Sequence, residues 1–210
     1  GGTLDPMATG VLPIYIGRAA KTADLNPVSD KRYRATFRLG VTTDTEDVWG
    51  KVLTKSEKPV TLAEITDAVK TMQGDIMQIP PMYSAIKVDG KKLYELARAG
   101  QEVERKARHV VINALNITGI QLPYVTMEVS CSKGTYIRTL CQDIGEKLGC
   151  GACMTELVRL KVGAFDIAHA WTLAQIQEMA ACGEEEVRRH IVPVEEMLSD
   201  YPEFKTTDAF

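Results

Sequence analysis

Ten residues, KRYRATFRLG at 31–40, switch character at nearly every step. On an extended strand Tyr33, Ala35, Phe37 and Leu39 share one side, and Arg32, Arg34, Thr36 and Arg38 share the other. A helix would scatter the same residues around its circumference, so the pattern calls for a two-faced strand. One face suits a core and the other suits solvent or phosphate. The chain must therefore contain a sheet with at least one covered side.

A second alternating stretch lies at 156–165 (ELVRLKVGAF). Its spacing predicts Val158, Leu160, Val162 and Ala164 inward, with Leu157, Arg159 and Lys161 outward, which leaves a leucine on a basic face. Further strands are expected at 110–117 and at 124–131, the latter with Val125, Met127, Val129 and Cys131 on one side. VLPIYI at 11–16 reads as a buried strand. Thr61 and Glu64 form a capping box for a helix over 61–73, with Val60 and Ile65 as staple and Leu62, Ile65, Val69 and Met72 as its apolar stripe. Thr172 and Gln175, with Trp171 and Ile176, repeat the device for 172–181. A third helix follows SKGTYIRT, buries Ile137, Leu140, Cys141, Ile144 and Leu148, and stops at Gly149. Tyr136 and Arg138 fall off that stripe, at its exposed first turn. Between 79 and 100 lie a proline-stiffened loop, an Asp-Gly turn and a short helix closed by Gly100. Strands and helices in no strict alternation predict an α+β fold, a mixed or antiparallel central sheet with flanking helices.

Composition narrows the function classes. With 210 residues and 45% apolar content the chain can build one substantial core, and no apolar run approaches the roughly 18–20 residues of a membrane span. The five cysteines form one C-x-x-C, Cys150 to Cys153, without a second pair or a histidine pair to complete a zinc site. Reduced thiols in a cytoplasmic protein are the better reading, and no metal is expected. Residues 1–165 carry 22 Lys and Arg against 18 Asp and Glu, whereas 166–210 carry 3 against 10. A mildly basic body with an acidic tail permits a polyanionic partner despite the net charge of −3.

The chemistry has few places to reside. No P-loop, G-x-G-x-x-G or Ser-His-Asp set is present. Asp44, Glu46 and Asp47 match no calcium loop, because Gly50 comes too late and no glutamate closes the spacing, so they read as a solvated turn. The opening GGTLDPMATGVLP sets Asp5 between Leu4 and Pro6 among glycines. That is ordinary turn chemistry, and it also holds one carboxylate still and accessible. Tyr33 and Tyr136 stand beside arginines, and aromatic rings interleaved with cations suit an unstacked RNA base and its phosphates.

GGTLDPMATGVLPIYIGRAAK, KRYRATFRLGVTTDTEDVWG, GDIMQIPPMYSAIKVDGKKLYELARAG and CSKGTYIRTLCQDIGEKLGCGA resemble, in order, signature blocks of the TruB family of pseudouridine synthases, the bacterial tRNA pseudouridine-55 synthases. The resemblance runs from residue 1 to about 165. It implies the pseudouridine synthase catalytic fold and an isomerase that converts the T-loop uridine at position 55 of tRNA to pseudouridine. Asp5 matches the family's catalytic aspartate. Tyr33 matches the tyrosine that packs on the target base and is the candidate to move the C5 proton. Tyr136 and Arg138 match the G-T-Y-I-R block, the arginine expected to pair with Asp5 and the tyrosine to contact the flipped nucleotide. Leu157 matches a position lining the uridine pocket. Neither redox nor hydrolysis is involved, so no cofactor is expected.

The resemblance also implies a catalytic core at 1–165 that lacks the family's preceding segment, and an acidic helical extension at 166–210 leading toward an absent RNA-binding module. The partner expected is the T-arm of tRNA, with a monomeric protein and no membrane. Two other readings compete: a guide-RNA-dependent pseudouridine synthase, and a non-catalytic protein that binds or folds tRNA.

Overall fold

The computed structural model describes residues 2–23, 30–197 and Pro202. Thr9–Gly10 (β1) precedes the alternating stretch Lys31–Leu39 (β2), which runs into a hairpin of Val41–Thr43 (β3) and Val52–Lys55 (β4). Leu62–Lys70 (α1) leads to Gly74–Gln78 (β5). A small lobe follows, with Lys87–Val88 (β6), Lys91–Lys92 (β7) and Leu93–Arg98 (α2). Two long strands, Arg108–Gln121 (β8) and Tyr124–Cys131 (β9), precede Ile137–Leu148 (α3), Ala152–Val162 (β10) and Phe165–Asp166 (β11). Leu173–Cys182 (α4), Glu184–Arg189 (α5) and Val194–Met197 (α6) complete the described chain. The rest of the expected 166–210 extension, residues 198–201 and 203–210, lies outside the described residues.

The sheet runs β1-β10-β2-β9-β8-β5, with β11 also on β10. β1 is parallel to β10 and the other pairs are antiparallel, so the expected α+β fold with a mixed sheet is what forms. The alternation in β2 holds: Ala35 and Phe37 are fully buried and lie opposite Met127 and Val125 of β9. α1 and α3 cover that face through Ile65, Val69, Leu140 and Ile144. Each such burial contributes about 1.5–3 kcal/mol. α3 lies so close to β10 that a Cβ on Gly145 would run into the backbone at Gly151 and Ala152. Met82, Leu93 and Leu96 make a separate small core for the β6–β7–α2 lobe.

The capping boxes form as the sequence predicts. Glu64 N–H donates to Thr61 Oγ1 at 3.3 Å, and Thr61 N–H to Glu64 Oε2 at 2.7 Å. Thr172 and Gln175 do the same for α4. Leu62 departs from its predicted stripe and is exposed, and no residue of α4 is buried.

Two strand expectations need correction. Residues 11–16 are not a buried strand. The chain leaves β10 after Gly10, only Val11 is buried, and Leu12, Ile14 and Ile16 are exposed because no strand among the described residues pairs with them. The inward and outward sets of 156–165 hold only in part: Leu160 and Val162 are buried and Lys161 is exposed as expected, whereas Leu157 and Arg159 are buried, Val158 is half-buried and Ala164 is exposed. β10 is interrupted by two bulges, between Met154 and Glu156 and between Arg159 and Lys161. An extra residue at a bulge shifts the phase of the alternation, so Leu157 and Arg159 face the core opposite Ala35 and Tyr33. Leu157 therefore does not stand on a basic face. The arginine face of β2 is open as expected: Arg34 and Arg38 are exposed, and Arg32 pairs with Asp166 at 3.3 Å.

Candidate active site

One edge of β10 belongs to β2; two turns share the other. β1 pairs with Val158 and Arg159, and the 44–48 segment reaches Met154, whose N–H donates to Glu46 O at 3.0 Å while Val48 N–H donates to Met154 O at 2.9 Å. Asp5 sits in the turn just before β1, closed by Ala8 N–H to Asp5 O at 2.9 Å. The first turn of α3 brings Arg138 between the two.

Arg138 uses its planar fork fully. Its Nε donates to Asp5 Oδ2 at 2.8 Å and its Nη2 reaches Asp5 Oδ1 at 3.4 Å. The same Nη2 donates to Tyr83 O at 2.9 Å, and Nη1 donates to Thr45 O at 2.7 Å, with Asp47 Oδ2 at 3.8 Å. One cation thus ties together the Asp5 turn, the 44–47 turn and the loop before β6. Bidentate pairing fixes a carboxylate in angle as well as distance, which a lysine would not do. The Asp5 side chain remains 41% exposed, so it is held on one side and open on the other.

Arg138 is buried, contrary to the exposed first turn expected for it. The apolar stripe of α3 is buried as expected, but three loops fold over the position beside it. Its carboxylate and carbonyl partners offset the cost of burying the guanidinium. The acidic turn is likewise not merely solvated. Asp47 accepts from Trp49 N–H at 3.0 Å and Thr45 Oγ1 at 2.6 Å while facing Arg138. Glu46 is buried and accepts from Thr139 Oγ1 at 2.5 Å; burial pushes its carboxyl up to about 7.

Tyr33 lies on the core-side face with Leu157 and Arg159, and only 7% of it is exposed. Burial pushes its phenol up to about 12, with Cys131 adding to the rise and Arg159 opposing it. Tyr136 caps α3, half-buried, its backbone clamped by Gln78: Tyr136 N–H donates to Gln78 Oε1 at 2.8 Å, and Gln78 Nε2 donates to Tyr136 O at 3.0 Å. Of the five expected residues, Asp5 and Arg138 are in direct contact. Tyr33 and Leu157 lie on neighbouring strands of one face, and Tyr136 stands two positions before Arg138.

Asp47, Gln78 and Arg159 escaped the sequence reading. Asp47 lay in plain view within a carboxylate-rich turn, whereas nothing local to Gln78 or Arg159 announces their burial. A cavity of about 400 Å³ lies near α3, lined by Glu46, Met72, Arg105, Thr139 and Asp143 among others, and it does not include Asp5. Among the described residues no group of three or more His, Cys, Asp or Glu is arranged to hold a metal ion, and no helix is long and apolar enough to cross a membrane.

Comparison with known proteins identifies the lineage. A family profile described as TruB family pseudouridylate synthase (N terminal domain) matches residues 1–137, and one described as tRNA pseudouridylate synthase B C-terminal domain matches 138–199. The tRNA pseudouridine synthase B of Clostridium kluyveri is 47% identical over 209 residues, 100% of this chain and 70% of that protein. Its counterpart from Burkholderia mallei is 48% identical over 201 residues, 96% of this chain and 66% of that protein. Among solved structures, a Cbf5-Nop10-Gar1 complex contains a similar chain at TM-score 0.72 and 28% identity, over 94% of this chain and 52% of that one. An H/ACA RNP bound to a substrate RNA containing 2′-deoxyuridine contains another, at TM-score 0.69 and 25% identity, over 94% and 50%. The chain thus spans about half the length of each of those two. With one profile covering well over half of it and near-half identity along its whole length, the chain belongs to the TruB family of pseudouridylate synthases, which are isomerases.

Proposed function

We propose that this chain converts a uridine in the T-loop of tRNA to pseudouridine, with Asp5 as the nucleophile. The observation that carries the proposal is the Asp5–Arg138 pair, a carboxylate gripped at both oxygens and still open to one side. The names of the relatives supply the substrate class. Isomerisation breaks the N1–C1′ bond, forms a C5–C1′ bond, releases the C5 proton and returns one to N1. Asp5 serves this by bonding to C1′ or to C6, since a carboxylate both attacks and leaves. The rigid turn and the guanidinium hold it ready, which lowers the cost of ordering it during reaction.

The target base must leave its stack to reach Asp5, and an extruded base needs a flat, dry reception. Leu157 and Tyr33, nearly buried on β10 and β2, are the apolar wall proposed to receive it, and Tyr136 stands at the start of α3. A phenol raised to about 12 is neutral at physiological pH, so Tyr33 meets the uracil as an uncharged ring that must shed its own proton before it accepts another. The lobe that follows Tyr83 carries Lys87, Lys91 and Lys92, cations of the kind phosphate contacts require. In this reading residues 1–165 form the catalytic core, 166–210 an acidic extension, and the protein acts as a cytoplasmic monomer. Five free cysteines accord with a reducing compartment.

The guide-RNA-dependent reading draws on the solved structures, at 25–28% identity, whereas the tRNA enzymes stand at 44–48%. Tritium release from tRNA transcripts carrying 5-tritiated uridine decides the matter, with Asp5→Asn as control. Release by the chain alone, lost by a factor of at least about 10³ in the variant, is the expected outcome. Release by neither would favour a binding protein instead, and equal release by both would remove Asp5 as the nucleophile.

A further inference from the structure

Arg159 is the largest fully buried side chain of the molecule's described part, and it is a cation in an otherwise apolar layer. Among the described residues no carboxylate pairs with it. Its hydrogen bonds go instead to three backbone carbonyls: Nε donates to Val11 O at 2.7 Å, and Nη1 to Gly2 O at 3.2 Å and Thr3 O at 3.5 Å. Those three residues bracket the Asp5 turn on both sides. The backbone of Arg159 adds a fourth tie, accepting Val11 N–H at 2.9 Å. The chain approaches so closely there that a Cβ on Gly10 would collide with the Arg159 backbone. Nη2 has no partner among the described residues, and the side chain lies beside Tyr33, its cross-strand neighbour.

We infer that Arg159 is a positioning residue for the isomerisation proposed above. It acts through the backbone of residues 2–11 to hold Asp5 at the angle Arg138 requires. A core residue serving stability alone has no need of a guanidinium; an aliphatic side chain of similar length would fill the space without burying a charge. The guanidinium is warranted by what it reaches: carbonyls on the chain segments either side of the Asp5 turn, of which residues 2–3 lie outside the pairing of Thr9 and Gly10 with β10. Through this clamp and through Arg138, the carboxylate is fixed from behind and from the side.

The test compares the chain with Arg159→Met and Arg159→Lys by two measurements. Amide hydrogen exchange reads the clamp without reference to activity. The methionine variant is expected to exchange about tenfold faster or more across residues 3–11, with α3 and β9 unchanged. Single-turnover tritium release reads the consequence: the maximal rate falls by about tenfold or more, while the half-saturating RNA concentration moves by less than about threefold. Arg159→Lys, which keeps a donor and a charge, recovers part of both. Unchanged exchange in 3–11, loosening spread over the whole sheet, or a loss confined to RNA affinity would each overturn the inference. If Arg159→Met fails to fold, Arg159→Lys alone decides by the same two criteria. If the parent chain releases no tritium, the proposed reaction falls, and the exchange data still judge Arg159.

Discussion

Glu46 shows how one residue can belong to the frame of a site and still burden the fold. Its peptide follows Thr45, whose carbonyl holds Arg138, and its own backbone oxygen anchors Met154. The side chain is carried inside as a consequence. Burial lifts its carboxyl from 4.5 to about 7, and Asp143 nearby is lifted to about 6 for the same reason. In both cases the folded chain holds the proton more tightly than the unfolded chain. Their stabilising contribution is therefore complete below pH 4.5 for Glu46 and 3.8 for Asp143, and is lost as pH rises through about 7 and about 6 respectively. Glu46→Gln keeps an acceptor for Thr139 and abolishes the titration. Urea denaturation at pH 5, 6, 7 and 8 should show a smaller decline for the variant, and a gain of roughly 1–3 kcal/mol at pH 8. At this scale the sequence was legible where a residue's neighbours in the chain constrain it, as Pro6 and the glycines constrain Asp5. It was illegible where burial comes from distant loops, as for Arg138, Glu46 and Arg159.

Among the elements, the caps were the most readable because a capping box is a contact between residues three apart, complete within the sequence. α4 carries a full box and buries nothing, so a cap reports that a helix starts, not that a core receives it. A continuous apolar run proved weaker evidence at 11–16, where no strand among the described residues pairs with it. β1 owes its place to Gly10, which has φ +109° and no room for a Cβ against β10. Gly10→Ala should cost at least about 2 kcal/mol, from the disfavoured backbone and the collision together. It should also slow tritium release beyond what the lost stability explains. Denaturant titration alongside a rate measured well below the melting temperature separates the two effects.

Taken whole, the molecule gathers its site from segments remote in sequence: Asp5 and Arg138 are 133 positions apart. No local pattern could have joined them, and the pairing became visible before the structure only through resemblance to a family. The sheet order supplies the physical reason, because β10 offers one free edge on which two early turns can meet. RNA, in contrast, must be recognised across the surface, by cations spread over a body with a small positive excess. Affinity for tRNA is accordingly expected to weaken by at least about tenfold between 50 and 200 mM salt, with the maximal single-turnover rate unchanged. A filter-binding series at fixed pH, paired with saturating kinetics, checks both halves.

The two bulges of β10 make that strand behave like a reading frame. Core-facing positions fall at even numbers before the first bulge (Ala152, Met154), at odd numbers between the two (Leu157, Arg159), and at an even number again after the second (Val162). Loss of one residue between the bulges would put the remainder of the strand out of phase. Loss of the spare residue at a bulge, Thr155 or Leu160, would leave the phase intact. Between its ends the strand thus tolerates a one-residue deletion without a change of phase at the two bulges, and the stretch carrying Leu157 and Arg159 is locked between them.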